Sequence, residues 1–397
     1  MTDSPSAVEF APTADGALIA LKRKAADGLP VIFIHGLAVN ADLWDIPSID
    51  SPQVRFRSLP TILHEAGCDV WLMNLRGHGT PPARSEPPPG QDDYCVDHFV
   101  LYDLPAVVEH VAAARGRPPL LIGNSMGAMT IAGWLEGAVW RDGRIVADAP
   151  LAQQRAAQIS GAVLVEFPAA LRWRRSLYDE HGNLKWGELW AAWRSKNSDT
   201  NCSFELLARA GWLQAIIQAA GEVRLDWLRP QPQGQPWWTG LPRPMSEAFQ
   251  WMHEALIAGV SKFLEHHKGG VVNFHRETLT QGLLPAVDHM RVGVLMQLAK
   301  SVRARSFVSW LGDLDHDYTE HYPNVCAPLL VVMGGQDRIA NAEVTRSVFF
   351  DRIRSTDRHF ELFANLAHGD FEYAPAACQQ VYPLIADWVA RHAGRPR

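Results

Sequence analysis

Pro119-Leu-Leu-Ile-Gly-Asn-Ser-Met-Gly127 is the stretch that decides the fold. It joins a short apolar run, Pro119–Ile122, to a helical run, Met126–Glu136, through Gly123-Asn124-Ser125-Met126-Gly127. G-x-S-x-G is common by chance. Set between a strand and a helix, it describes a turn too tight for side chains at its two glycines. Such a turn lifts the serine hydroxyl to the end of a sheet and sets it at a helix N-terminus, where developing negative charge is favoured. The bland alternative is an ordinary glycine-rich turn.

Working outward, further apolar runs occur at Pro30–Ile34, Asp69–Leu75, Ala162–Phe167, Pro328–Met333 and His359–Phe363. Most are continuous, as in strands buried on both faces of a parallel sheet. Val8–Lys22 reads as a hairpin turning at Asp15-Gly16. Helices fit between the runs: Leu59–Ala66 stops at Gly67, and another is capped by Asp103 and runs to Arg115 before Gly116. The fold class is therefore α/β with a mostly parallel sheet flanked by helices. The alternation breaks after Phe167 and resumes at Pro328. This predicts three parts: residues 1–167 as the first part of the core, 168–320 as an inserted helical cap, and 321–397 as the second part of the core. Helices are expected around Leu206–Ile217 and from Ser246 to His267, with the proline-rich Arg229–Pro244 between them. Ten of the 15 tryptophans fall in the insert. Trp237 and Trp238, adjacent on the proline-rich loop, are candidate substrate-binding residues, because large rings there have no helix face to pack into.

The chain has 397 residues, 47% hydrophobic and 20% charged, with a net charge of −6. It has no long basic run, which argues against nucleic acid as a partner. It has no apolar stretch of the ~18 residues needed for a transmembrane segment. The first sixteen residues lack the basic and apolar regions of a leader. The five cysteines are scattered, odd in number and without a C-x-x-C pair, so a reduced, cytoplasmic protein is expected. No metal site and no cofactor are indicated. The oligomeric state is left open.

A serine nucleophile needs a base, itself oriented by an acid, and after such an elbow the acid precedes the base in the chain. Asp337 follows the run Pro328–Met333, and His368 follows His359–Phe363, so both are placed at C-terminal strand ends with Ser125. Asp313, Asp315 and Asp317 are rival acids with no strand before them. An oxyanion would need two donors, and the backbone N–H groups of Leu37 and Met126 suit that role. His35 reads as a structural loop residue.

The chain resembles the α/β-hydrolase-fold serine hydrolases and, within them, the acid lipases of gastric and lysosomal type. The likeness is carried by DGALIALKR, HGLAVNADLW and HEAGCDVWLMNLRGHG before the elbow, and by GGQDRIANAEV and HGDFEYAPAACQQVY after the insert. The resemblance implies a triad of Ser125, Asp337 and His368, with an oxyanion hole at Leu37 and Met126. It implies cleavage of carboxylic esters of small apolar molecules through an acyl-enzyme. An acyltransferase with the same triad and a non-catalytic binding protein are the alternatives.

Overall fold

The computed structural model describes residues 7–172 and 275–394, together with 179, 185, 187–188, 214–215, 218–219, 221–224 and 273. Successive side chains of a strand point to opposite faces. In the central strands both sets are apolar: Ile32, Leu121, Leu164 and Val331 enter one buried cluster, and Val31, Ile122, Val163 and Val332 the other. A sheet made of such strands must be covered on both sides.

Eight strands form it: β1 Ala7–Pro12, β2 Leu18–Lys24, β3 Pro30–Ile34, β4 Asp69–Met73, β5 Leu120–Asn124, β6 Gly161–Val165, β7 Leu329–Gly334 and β8 Arg358–Phe363. Their order across the sheet is β1-β2-β4-β3-β5-β6-β7-β8. β1 and β2 pair antiparallel, as the hairpin reading expects, and β2 runs antiparallel to β4. From β4 to β8 every pairing is parallel. The sheet therefore presents the C-terminal ends of β3, β5, β6, β7 and β8 on one side. β8 departs from the expectation of a strand buried on both faces: it is an edge strand, and no residue of it is fully buried.

Covering helices include α1 Leu59–Glu65, α2 Leu104–Arg115, α3 Met126–Leu135, α4 Ala149–Ala157, α5 Val292–Ala304 and α6 Tyr382–Ala393. Ser58 caps α1 by accepting from the Thr61 N–H, and α2 ends on Gly116 at a φ of 62°. Asp103 does not cap α2, contrary to the sequence reading. The helical path already begins at Val96 and widens through Phe99–Asp103. The Asp103 carboxylate instead accepts from the Arg76 Nε at 2.8 Å and the Arg76 backbone N–H at 3.1 Å. A buried guanidinium is tolerable only when paired, and that long-range demand outweighs the local cap.

β6 and β7 are neighbours in the sheet although residues 166–328 lie between them in the chain. Within that span, α5 packs Val294, Leu298 and Val302 into the same cluster as Val331. Gln297 ties it down by donating to the buried Asp97 carboxylate at 2.6 Å. Of the helix expected around Leu206–Ile217 only residues 214–215 are described, and they are helical; the helix expected from Ser246 and the loop Arg229–Pro244 lie outside the described residues. No helix among the described residues is long and apolar enough to cross a membrane.

α3 lies so close to β3 that a Cβ on Gly127 would sit 2.5 Å from the Ile34 carbonyl oxygen and 2.8 Å from that of His35. Both obstacles are backbone and cannot turn aside. Gly127→Ala should therefore lower unfolding free energy by roughly 1–3 kcal/mol, read from urea denaturation. An unchanged midpoint would mean that α3 moves away freely.

Candidate active site

Ser125 begins α3 in a strained conformation, with φ 49° and ψ −114°. Such a backbone persists only where its surroundings over-determine it. Its N–H donates to the Val165 carbonyl of β6 at 2.9 Å. Gly123 and Gly127 are pressed together: a Cβ on Gly123 would lie 2.7 Å from the Gly127 carbonyl carbon and oxygen. The glycines of the motif are thus demanded by backbone contact, as the spacing predicts.

Asp337 follows β7 and His368 follows β8. The His368 Nε2 lies 3.0 Å from the Ser125 Oγ, and its Nδ1 lies 2.9 Å from the Asp337 Oδ2. The other Asp337 oxygen accepts the backbone N–H groups of Ile339 and Ala340, each at 2.8 Å. A carboxylate pinned this way aims its free oxygen at the imidazole. With Nδ1–H donating to Asp337, Nε2 is left to accept from the serine hydroxyl. The rival acids lie elsewhere. Asp313 is exposed, Asp315 pairs with Lys300 at 2.6 Å, and Asp317 caps the short helix Tyr318–His321.

Met126 is the first residue of α3, so its N–H has no partner within the helix. Leu37 lies in the loop after β3, next to Ala38 at a φ of 64°. Leu37, Met126, Ser125 and His368 all border one cavity of about 250 Å³. Its wall is largely apolar, with Leu43, Met129 and Ile339 on it and Asn124 and Glu372 among its few polar groups. Pro168 and Leu171, leaving β6, and Leu283 and Leu298, on the chain returning to β7, also line it. Trp237 and Trp238 lie outside the described residues.

Residues 30–178 match the alpha/beta hydrolase fold family. A solved structure, DcsB in complex with its substrate analogue, superposes with a TM-score of 0.51 over 98% of this chain and 99% of that one, at 13% identity, a likeness of fold alone. The chain has the α/β-hydrolase fold. Part of it is lipase-like in sequence. Over 131 residues it is 30% identical to triacylglycerol lipase 2 of Arabidopsis thaliana, which is 30% of each chain. Over 105 residues it is 31% identical to the lysosomal acid lipase/cholesteryl ester hydrolase of Rattus norvegicus, 25% of each. The chain thus matches less than a third of the length of these curated relatives.

Within this hydrolase fold, the electrostatics separate the histidines. His35 is fully buried, donates from Nδ1 to the Gly36 carbonyl at 2.9 Å and accepts the Leu75 N–H on Nε2 at 3.0 Å. Burial, with nearby His78, pushes its pKa down to about 3, so it is a neutral structural residue. For His368, burial opposes the imidazolium. The charge and hydrogen bond of Asp337, with Glu372 and Asp370 behind, more than offset this and raise its pKa above the ordinary value.

Two further acids were not singled out by the sequence. Glu372, buried on the cavity wall, has neither carboxyl oxygen hydrogen-bonded among the described residues, and burial pushes its pKa up to about 8. Glu166 is fully buried one residue beyond β6. The only hint was a carboxylate closing an otherwise apolar run, Ala162–Phe167. Glu166, Asp337 and His368 each bring one possible metal-ligand atom within 4.8 Å of the others. A cation among them would have to displace the Nδ1 proton that the Asp337 contact uses. As it stands, the arrangement is built to pass a proton between an imidazole and a hydroxyl.

An NMR titration of the folded protein should find His368 changing protonation at a midpoint above ~6.5, so that the imidazole becomes neutral only as pH rises past that raised value. His35 should stay neutral throughout the same range. A His368 midpoint below ~6.5 would contradict the Asp337 interaction.

Proposed function

We propose that the protein hydrolyses carboxylic esters of small apolar molecules through an acyl-enzyme on Ser125. The observation that carries this reading is the continuous hydrogen-bonded chain from Asp337 through His368 to Ser125, opening on an apolar cavity. The ester chemistry named for the Arabidopsis and rat relatives supports the substrate class.

Ser125 Oγ attacks the ester carbonyl carbon while its proton passes to the His368 Nε2. The carbonyl oxygen, now an anion, takes the Leu37 and Met126 N–H groups as donors, where preorganised dipoles cost no reorganisation. The C–O bond to the alcohol breaks, and the alcohol leaves with the proton from Nε2. A water then gives a proton to Nε2 and attacks the acyl carbon. The serine recovers that proton as the carboxylic acid departs. Asp337 keeps its proton count and holds the imidazole in the tautomer required. No cofactor enters any step.

A fluorophosphonate probe should label the peptide containing Ser125, and Ser125→Ala should abolish labelling and cost on the order of 10⁶ in kcat on p-nitrophenyl esters. Labelling that persists in Ser125→Ala would refute the assignment.

The insert is proposed to set substrate choice, because both its flanks line the cavity. Trp237 and Trp238 are the residues proposed to meet the substrate there. Replacing both by alanine should weaken turnover of long-chain esters far more than of acetate esters, with little change in melting temperature. Equal loss on every ester, together with a lower melting temperature, would make the pair structural.

A further inference from the structure

Glu166 has a position in the site that the mechanism above does not use. β6 lies between β5 and β7 in the sheet, so its C-terminal end falls between the strands that deliver Ser125 and Asp337. Glu166 stands just past that end. Its N–H still donates to the Val332 carbonyl of β7 at 2.9 Å, but its φ of 51° breaks the extended path. One carboxyl oxygen, Oε1, accepts the backbone N–H of Gly369, the residue after His368, at 2.5 Å. The other, Oε2, is 3.9 Å from the His368 Nδ1 and has no hydrogen-bond partner among the described residues. Two carboxyls therefore flank one ring nitrogen, one at 2.9 Å and one at 3.9 Å, and neither side chain is exposed.

A buried carboxyl with an idle oxygen is costly. A glutamine would hold the Gly369 N–H equally well, so that hydrogen bond alone does not require an acid. What an acid adds is the capacity to take up charge beside the imidazole.

We propose that Glu166 is a positioning residue for His368, clamping the histidine loop through the Gly369 N–H and serving as the reserve partner of Nδ1 when Asp337 is absent. This rests on the Ser125–His368–Asp337 reading. The titratable groups facing Glu166 are His368, Asp337, Asp370, Glu372, Tyr373 and Tyr382. Burial, with the carboxylate of Asp337 close by, raises the pKa of its carboxyl well above the usual range. Removing the Asp337 charge relieves that opposition. Glu166 can then ionise, and Oε2 can accept the Nδ1–H after a relative shift of about 1 Å, the difference between the two separations.

The test is a double-mutant cycle of Asp337→Asn and Glu166→Gln, with Ser125→Ala as the floor for kcat. Glu166→Gln keeps an oxygen for Gly369 and should cost less than about tenfold. Asp337→Asn should stay clearly above the floor. The double variant should fall roughly 10–100-fold below the product of the two single losses. In Asp337→Asn, kcat should also gain a dependence on pH that is missing in the double variant, a readout that loss of a structural contact would not produce. Losses that simply multiply, or Asp337→Asn already at the floor, would overturn the proposal. Activity remaining in Ser125→Ala would instead sink the triad reading, so the two failures are separable.

Discussion

The contact on which the site depends is the approach of α3 to the end of β3, where Gly127 meets the carbonyl oxygens of Ile34 and His35. Only a residue without a Cβ allows it, and its closeness forces the strain at Ser125. The same contact brings the start of α3 beside the loop after β3, where a Cβ on Gly36 would lie 3.3 Å from the Ser125 Cβ. The backbone N–H groups of Leu37 and Met126, the donors proposed for an oxyanion, are thus brought to one cavity by touching backbones, while the side chains around them are free to differ. This explains how Asn124 and Met126 can flank the serine without disturbing the geometry.

The chain returning from the insert is keyed to that same loop. The Asn40 N–H donates to the Ala286 carbonyl at 2.8 Å, and the Asp288 N–H to the Ala38 carbonyl at 2.7 Å. The Asp288 side chain accepts from the Gly79 N–H at 2.8 Å and from His289 Nδ1 at 2.9 Å. His289 stacks on His78, which packs against His35. The loop after β3 is thus held from two sides, by β3 before it and by the returning chain beside it.

Around the histidine the balance is different. Asp337, Glu166, Asp370 and Glu372 crowd one imidazole, and their low-dielectric setting will not support four charges at once. Asp370 is satisfied by the Ala367 N–H at 2.8 Å and by Asn273, whose backbone N–H lies at 2.9 Å. Asp337 is satisfied by the Ile339 and Ala340 N–H groups. Burial raises the carboxyl pKa of Glu166 well above the usual range and that of Glu372 to about 8.

The parts legible in the sequence are those that local rules encode. Continuous apolar runs read as parallel strands, although the one before His368 forms a partly exposed edge strand; the glycines at 123 and 127 read as an elbow, and Asp337 and His368 are proposed because each follows a strand. Where long-range contact competes with a local rule, the sequence misleads, as with Asp103, which serves Arg76 when its position suggests a helix cap. Glu166 was hidden for a related reason: it meets Gly369 across 203 residues of chain, and no periodicity records that pairing. By itself the sequence determined the α/β class, the elbow and the three residues of the proposed relay, since strand, turn and helix are each specified within a few residues. Only the tertiary structure decided which carboxyls share His368 and which loops close the cavity, because neighbours at the ends of parallel strands are set by the order of strands across the sheet and not by their order along the chain.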